Sequence, residues 1–210
     1  MARHPSQLIL VGLVMLIPSV SIADEASRHL SLTVAPINLG RFTFFDDGDQ
    51  AYEPNLRTAI GLTAGFEKRI PKHLTIGARF QYLHTMAPYD VGYSEYVEEG
   101  MRGYADLLRP SFTVGGRWSS REENLDFTVT ALLGPTFVLF EDLSMAGAHV
   151  AASGGAIFWL SRMVGLRVGV ALVFDYMRAY KATGWASSNF EDARATTLFF
   201  LADVGVEVRF

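Results

Sequence analysis

The residues that come nearest to a catalytic arrangement are a histidine and a serine four positions apart, His149 and Ser153. A histidine activates a serine for acyl transfer when its imidazole accepts the hydroxyl proton over a hydrogen bond. Both residues fall in a stretch that we interpret as a strand, in which four positions span about 13 Å at about 3.3 Å per residue. A hydrogen bond needs a separation of about 3 Å. The spacing therefore predicts no direct Ser–His pair and no catalytic residue.

Four carboxylates, Asp46, Asp47, Asp49 and Glu53, lie close together in a polar connection. Oxygen ligands of this type suit Ca²⁺ and Mg²⁺, and such a cluster could also bind a partner. The spacing does not match an EF-hand loop, and solvated charge is the interpretation that we favour. We therefore predict neither a metal ion nor another cofactor, and keep this cluster as a possible cation or partner site.

The composition narrows the class of protein. With 18 Lys and Arg against 22 Asp and Glu, the 210 residues carry a formal charge of −4 and offer no basic surface for nucleic acid. No cysteine is present, which excludes a thiol nucleophile, a Cys-ligated zinc ion and a disulfide framework. The length predicts one domain, and the hydrophobic fraction of 50% is high enough to fill a core or to face lipid.

The first 23 residues have the layout of a secretory signal peptide. Arg3 and His4 precede an apolar run over residues 8–17, and Pro18 and a Ser-Ile-Ala sequence ending at Ala23 follow it. The apolar run is too short to span a bilayer, which takes about 20 residues. We predict cleavage after Ala23, export of the chain and a single domain over residues 24–210.

The rest of the chain alternates apolar and polar residues with the period of a strand. The C-terminal segment shows this most clearly, because apolar side chains at 202, 204, 206, 208 and 210 alternate with Asp203, Gly205, Glu207 and Arg209. Most such segments reach the length of about 9–11 residues that a tilted transmembrane strand needs. They predict an all-β fold with eight strands, at residues 30–44, 56–70, 74–87, 104–118, 125–140, 149–160, 164–179 and 197–210.

Short and long connections alternate between the predicted strands. Three are short, at residues 71–73, 119–124 and 161–163, and the longer polar ones fall at residues 45–55, 88–103, 141–147 and 180–196. Consecutive strands joined in this way pair as antiparallel neighbours. The layout predicts an antiparallel up-and-down barrel with both ends of the chain on the short-turn side.

The distribution of charge separates two kinds of barrel. A soluble barrel such as a lipocalin fills its interior with apolar side chains, whereas here the apolar face is almost continuous and the other face carries charge and small residues. Turning the charged face inward places five acidic and five basic side chains in the lumen, where they can pair. The predicted lumen network consists of Glu67, Arg79, Arg109, Arg117, Asp126, Arg167, Asp175, Asp203, Glu207 and Arg209.

Hairpin register indicates which of these charges meet. If residues 70 and 74 face each other, Glu67 lies diagonal to Arg79. If residues 118 and 125 face each other, Arg117 lies opposite Asp126. Both arrangements bring opposite charges together on the inner face of the barrel.

Two prolines, Pro110 and Pro135, fall in neighbouring predicted strands. The register given above places Pro110 opposite Leu133 and Pro135 opposite Leu108. Proline has no N–H to donate to the ladder, so the seam between these strands is expected to be weak. Bulges near the rim are one interpretation, and a lateral opening for lipid is the other.

The chain ends on Val-Gly-Val-Glu-Val-Arg-Phe, with Val204, Val206 and Val208 at alternate positions before Phe210. This ending resembles the C-terminal β-signal of Gram-negative outer-membrane proteins. With the predicted signal peptide, strands and connections, it makes the chain similar to the small eight-stranded barrels, such as outer membrane proteins A (its membrane domain), X and W. The resemblance implies a transmembrane barrel in the outer membrane, with short periplasmic turns and long external loops. It also implies contact with lipid and lipopolysaccharide, and insertion by the barrel assembly machinery through those four residues.

The function that we predict is non-enzymatic. A barrel with a charge-plugged lumen would contribute to envelope integrity, or bind an unidentified surface ligand through its external loops. Two alternatives stay open. One is a narrow channel for small solutes. The other is a lipid-modifying enzyme with lateral access beside Pro110 and Pro135, a feature that resembles the lateral gate of the palmitoyltransferase barrel.

Overall fold

The structure is a computed structural model, and it describes residues 27–46, 49–52, 55–70, 73–86, 104–120, 124–140, 143–182 and 193–210. Its strands are β1 (Arg28–Asp46), β2 (Asp49–Tyr52), β3 (Asn55–Arg69), β4 (Leu74–Met86), β5 (Tyr104–Ser119), β6 (Leu125–Leu139), β7 (Leu143–Trp159), β8 (Val164–Ala182) and β9 (Arg194–Arg209). The predicted signal peptide lies outside the described residues. Within the described ranges, no helix is long and apolar enough to cross a membrane.

All the strands except the short β2 close into one antiparallel barrel. Each strand from β3 to β8 pairs with the next one in sequence, and β1 pairs with both β3 and β9, which closes the ring. The short strand β2 pairs with the end of β1, with Asp46 opposite Asp49, and forms a hairpin at the rim. The all-β, up-and-down prediction is confirmed.

Both ends of the barrel chain lie on the side of the short turns. The Arg28 N–H donates to the Phe210 carbonyl at 2.9 Å, and the Arg209 N–H donates to the Met163 carbonyl at 2.8 Å. Met163 belongs to the short turn between β7 and β8, so the chain ends and this turn share one rim. We call this rim the turn end, and the opposite rim the loop end.

One strand boundary differs clearly from the prediction. The strand predicted to begin at residue 149 begins at Leu143, so residues 143–147 of the predicted long connection belong to β7. The Phe140 N–H donates to the Leu143 carbonyl at 2.8 Å. Leu143 and Met145 are 2% and 0% exposed inside the barrel. Their alternate burial continues the strand through an Ala- and Gly-rich segment whose own pattern is weak.

The two faces of the barrel wall differ in polarity, as the alternation predicts. On β8, Val168, Val170 and Leu172 are 43%, 48% and 52% exposed on the outer face, whereas Arg167 and Asp175 are 4% and 0% exposed on the inner face. A closed barrel has no strand edge and satisfies its backbone hydrogen bonds within the wall. The apolar exterior therefore suits lipid, and the soluble-barrel alternative is excluded.

The lumen contains two layers of different polarity. The layer nearer the turn end holds the charged side chains. The layer nearer the loop end consists of buried apolar side chains, which include Phe42, Leu83, Leu107, Val138, Met145, Met177 and Phe199. Alternation separates the inside from the outside of a barrel but does not show how polarity changes along its axis, so this apolar layer was not predicted.

Two inward-facing glycines lie where neighbouring strands approach too closely for a side chain. A Cβ atom at Gly77 would lie 2.0 Å from the Phe66 carbonyl oxygen, and one at Gly205 would lie 2.0 Å from the Leu32 carbonyl oxygen. Because the obstructing atoms belong to the backbone, a rotamer change cannot relieve the clash. Glycine at these positions therefore permits the close coiling of a narrow barrel.

Candidate functional site in the barrel lumen

At the turn end, one carboxylate joins side chains from several strands. Glu207 on β9 accepts hydrogen bonds from Arg117 on β5 and from Arg167 on β8, the latter with 2.9 Å between Nη1 and Oε2. His29 on β1 places its Nδ1 3.1 Å from Glu207 Oε1. The Arg117 Nε also lies 3.8 Å from Asp126 Oδ2 on β6. All these side chains are buried, so their charges are balanced by one another rather than by water.

Further along the lumen, a second arginine reaches across the barrel. Arg79 on β4 lies 3.3 Å from Glu67 Oε1 on β3 through its Nη2, and its Nη1 donates to Ser153 Oγ on β7 at 3.3 Å. Glu67 is opposite Gly77, which confirms the predicted β3–β4 register. Asp203, also predicted in the network, is half-buried and lines a small cavity together with Arg79.

The third ion pair lies nearer the loop end. Arg109 on β5 donates to both oxygens of Asp175 on β8, with 2.9 Å from Nε to Oδ1 and 2.6 Å from Nη2 to Oδ2. Its Nη1 donates to Gln81 Oε1 at 3.0 Å, and the Thr197 hydroxyl donates to Asp175 Oδ2. The guanidinium also lies 4.8 Å from the ring centroid of Phe199, where the charged layer meets the apolar layer.

Arg209 departs from the predicted network. It lies at the turn-end mouth of the lumen, where its Nε donates to the Arg162 carbonyl at 3.1 Å and its guanidinium stacks over Trp159, 4.6 Å from the ring centroid. Arg209 is the last residue of β9, so its side chain emerges at the rim. The alternation predicted that the Arg209 side chain faces the lumen. Because the residue lies at the very end of the strand, its side chain does not reach the buried ion pairs.

A second polar group, centred on His149, was not predicted. The Nε2 of His149 on β7 is 2.9 Å from Ser111 Oγ on β5. The Nδ1 of the same ring is 3.0 Å from Thr136 Oγ1 on β6 and 3.2 Å from the Pro135 carbonyl oxygen. The Thr136 hydroxyl donates to Asp175 Oδ1 at 2.7 Å. These contacts link the histidine to the third ion pair.

The Ser111 partner of His149 was not predicted, because spacing along one strand does not show which residues meet across neighbouring strands. Ser111 lies two strands away, across Gly134 on β6, which is the direct partner of His149. A Cβ atom at Gly134 would lie 3.0 Å from the Ser111 Cα and 2.0 Å from the Pro110 carbonyl oxygen. The missing side chain of Gly134 therefore leaves the space across which the serine and histidine meet.

The register between β5 and β6 differs from the predicted one by two residues. The Ser120 N–H donates to the Leu125 carbonyl at 2.7 Å, so the hairpin closes at this pair rather than at residues 118 and 125. Arg117 is therefore opposite Thr128, and Asp126 is opposite Ser119. A shift of two residues keeps every side chain on its predicted face, which is why Arg117 still approaches Asp126 diagonally.

The same shift places the two prolines opposite each other. Paired residues run to Leu108, opposite Phe137, and resume at Phe112, opposite Leu133, and the described positions between them form no ladder pairs. Leu108 and Phe112 are four residues apart on β5, and their partners Phe137 and Leu133 are also four residues apart on β6, so neither strand has an extra residue in the gap. Pro110 therefore faces Pro135, not the predicted leucines. A hydrogen-bonded antiparallel pair exchanges one N–H from each residue, and proline has none. The seam therefore loses both hydrogen bonds of this pair.

A small cavity adjoins these groups inside the barrel. Its polar lining includes Arg79, Gln81, Arg109, Ser111, His149 and Asp203. The cavity is about large enough for a water molecule, and its lining supplies the polar partners that a buried water requires. Over the described part of the chain, no cluster of His, Asp and Glu side chains is arranged to hold a metal ion.

The other predicted site residues that the structure describes lie in the C-terminal segment and in the rim hairpin. On β9, Val204 and Val206 are 47% and 42% exposed on the outer face and Val208 is half-buried, and Phe210, directly after the strand, is 54% exposed. The backbones of Asp46 and Asp49 belong to the rim hairpin, but the side chains of these two residues lie outside the described part of the structure, as do residues 47 and 53.

Comparison with known proteins identifies the fold. No family model and no curated protein matches the sequence. The outer membrane protein OprG from Pseudomonas aeruginosa is similar with a TM-score of 0.51 and 9% identity, over 88% of this chain and 96% of that one. Neisserial surface protein A (NspA) has a TM-score of 0.47 and 12% identity, over 89% of this chain and 100% of its own. The outer membrane protease OmpT from Escherichia coli has a TM-score of 0.47 and 10% identity, over 92% and 99%.

The fold and the wall define the class of protein. The likeness to OprG, at 9% identity, concerns the fold alone. That fold, together with a closed wall whose exterior is apolar, is the architecture of transmembrane β-barrels of the Gram-negative outer membrane. The chain is such a barrel, and the outer membrane, in contact with lipid, is its location.

Proposed function

We propose that the protein is a closed, non-conducting barrel whose role in the envelope is structural. The observation that carries this proposal is the buried ion pairing that crosses the lumen. Arg117 on β5 pairs with Glu207 on β9, and Arg109 on β5 pairs with Asp175 on β8, so both pairs join strands that are not neighbours in the wall. They fill the lumen and hold its sides together at two heights.

The apolar layer at the loop end supports the same proposal. Buried side chains such as Phe42, Leu107 and Phe199 fill the lumen above the charged layer. A narrow channel needs a continuous path of water, and apolar side chains that meet across a narrow lumen exclude water from that path. The plugged barrel is therefore better supported than the small-solute channel.

Single-channel recording in a planar bilayer tests this proposal. The refolded chain over residues 24–210 is expected to give no steady conductance, while its heat-dependent gel mobility shows that it is folded. Arg109→Ala is expected to produce intermittent conductance, because it removes one cross-lumen pair. The matched control is Arg178→Ala, which removes an exposed arginine of β8. A steady, salt-dependent conductance from the unmodified barrel would overturn the proposal and support the channel.

We also propose that the C-terminal strand is the segment that the assembly machinery recognises. The outward alternation of Val204, Val206 and Phe210 supports this, because these side chains are presented on the surface of β9. Binding through the external loops is the other role that the sequence suggests, and the acidic cluster at Asp46, Asp47, Asp49 and Glu53 is the proposed place for it.

A further inference from the structure

We propose that Ser111 and His149 form a serine nucleophile and general base for fatty acyl esters that enter the lumen from the lipid phase. This inference goes beyond the structural role proposed above and does not depend on it. It rests on three independent observations: the direction of the hydrogen bonds around His149, the cavity beside Ser111, and the interrupted ladder in front of both.

The hydrogen-bond partners of His149 determine which nitrogen of its neutral imidazole carries the proton. A carboxylate only accepts hydrogen bonds, so the Thr136 hydroxyl donates to Asp175 at 2.7 Å. The Thr136 oxygen is then left to accept from the Nδ1–H of His149 at 3.0 Å. With the proton on Nδ1, the Nε2 is an acceptor. The Ser111 hydroxyl, which also lies 3.4 Å from the Arg109 carbonyl oxygen, donates to the Nε2 over the shorter distance of 2.9 Å.

The resulting chain runs from Ser111 through His149 and Thr136 to Asp175. Each group in this chain donates a hydrogen bond to the next, as in a catalytic triad in which a carboxylate orients the base that activates the nucleophile. Here one threonine hydroxyl is inserted between the base and the carboxylate. Thr136 and Asp175 act as positioning residues, because they hold the tautomer and the ring orientation of His149. Asp175 is itself fixed by two hydrogen bonds from Arg109.

The cavity gives the nucleophile a place to react. Ser111, His149 and Arg79 all line it. A positive charge beside the attacked carbonyl stabilises the oxyanion that forms there. The cavity holds only a water-sized group at rest, so an ester reaches Ser111 when the neighbouring wall opens.

The ladder between β5 and β6 is interrupted directly beside Ser111. The preceding residue, Pro110, faces Pro135, and this pair lacks both of its ladder hydrogen bonds. The flanking side chains on the outer face, Phe112 and Leu133, are 61% and 63% exposed toward lipid. An acyl chain that separates β5 and β6 here breaks fewer backbone hydrogen bonds than at an unbroken ladder, which makes long-chain esters in the membrane the substrate class.

The chemical step balances without a metal or redox partner. A bond forms between Ser111 Oγ and the carbonyl carbon of the ester, the bond from that carbon to the alcohol oxygen breaks, and the serine proton passes through His149 Nε2 to the leaving oxygen. Water then attacks the acyl-enzyme, gives one proton to His149 and releases the fatty acid, while Ser111 Oγ recovers the proton from His149.

Labelling with a biotinylated alkyl fluorophosphonate tests the nucleophile in the refolded, heat-modifiable barrel. We expect the label on Ser111, its loss in Ser111→Ala, and unchanged labelling in Ser31→Ala. Ser31 is another lumen serine, and Ser31 and Ser111 are both 8% exposed. The Ser31 hydroxyl donates to the Gly65 carbonyl rather than to a histidine. Absence of label from the folded barrel, or label that persists in Ser111→Ala, overturns the proposal.

Release of fatty acid from mixed micelles tests the reaction and separates two sources of the ester. Phosphatidylcholine and lipid A are offered in separate arms, and hydrolysis of either supports the proposal while showing which alcohol is accepted. His149→Gln is expected to lower the rate by about 100-fold or more, as loss of a general base does. Thr136→Val is expected to lower kcat with little change in KM. No release from either lipid by the folded barrel overturns the proposal.

The seam and the activation of residue 111 have tests of their own. Pro110→Val with Pro135→Val restores two N–H donors and is expected to slow long-chain hydrolysis; an unchanged rate overturns lateral access.

If Ser111→Ala fails to fold, Ser111→Cys replaces it, since the chain has no other thiol. Iodoacetamide is expected to alkylate this thiol faster than the one in Ser31→Cys, and equal rates overturn activation by His149. The conductance measurement is separate, so failure here leaves the closed barrel standing.

Discussion

Arg79 on β4 donates a hydrogen bond to Ser153 on β7 at 3.3 Å, from one side of the barrel to the other. The same guanidinium pairs with Glu67 on the neighbouring strand, so one side chain ties three strands together. Arg79→Ala leaves Glu67 buried without its partner, and we expect the free energy of unfolding to fall by about 3–5 kcal/mol while insertion persists. Urea unfolding in lipid vesicles measures this. Complete loss of folding would contradict the view that the network plugs the lumen rather than builds the wall.

The turn-end cluster is expected to be more sensitive to loss of its acid than the Arg79 pair. Glu207→Gln leaves Arg117 and Arg167 close together without the shared carboxylate, whereas Glu67→Gln leaves only Arg79 unpaired. The larger loss of unfolding free energy is therefore expected for Glu207→Gln. Both variants conserve side-chain shape, so the same urea experiment compares them directly, and equal losses would show that the two arginines do not depend on one carboxylate.

Close packing of the strands predicts a strong contrast between two glycines. At Gly77 a Cβ atom would lie 2.0 Å from a backbone oxygen, whereas at Gly154 the nearest atom is 3.7 Å away. Gly77→Ala is expected to lower stability by about 1–3 kcal/mol because the strands must move apart. Gly154→Ala serves as the control and is expected to be neutral or slightly stabilising. Similar stabilities for the two variants would show that the wall relaxes easily at residue 77.

The proline seam carries a stability prediction apart from any chemistry. Replacing both Pro110 and Pro135 with valine supplies the two N–H groups that the ladder lacks, and each net hydrogen bond contributes about 1 kcal/mol. Part of this gain is offset, because removing proline increases the freedom of the unfolded chain. We expect the double variant to unfold at higher urea concentration, and each single variant to show a smaller shift. A destabilised double variant would mean that the strands cannot close at this pair.

Recognition of the C-terminal strand predicts an effect that depends on the cell. Phe210→Ala is expected to reduce the amount of barrel in the outer membrane of producing cells, while refolding of the purified chain in detergent is unchanged. The control is Leu160→Ala, which removes another exposed apolar side chain at the turn end, 68% exposed against 54% for Phe210. Equal losses in cells for the two variants would contradict a specific signal.

Period and connection length were sufficient to predict the fold from the sequence, because a barrel in lipid turns one face of every strand outward. The same alternation placed Glu67, Arg117 and Asp175 on the inner face. It could not show that Ser111 meets His149, because that contact spans two strands and depends on a register set by the Ser120–Leu125 closure. An error of two residues in register leaves all faces correct and changes every opposite neighbour, which is why the opposed prolines were missed as well.

The apolar layer at the loop end also separates two parts of the molecule that face different conditions. Side chains such as Leu83, Val138 and Met177 lie between the loop-end rim and the charged layer. The buried carboxylates and arginines of the charged layer balance one another on the turn-end side of these side chains. We therefore expect substitutions in the connections at the loop end to leave the charge balance of the interior unchanged.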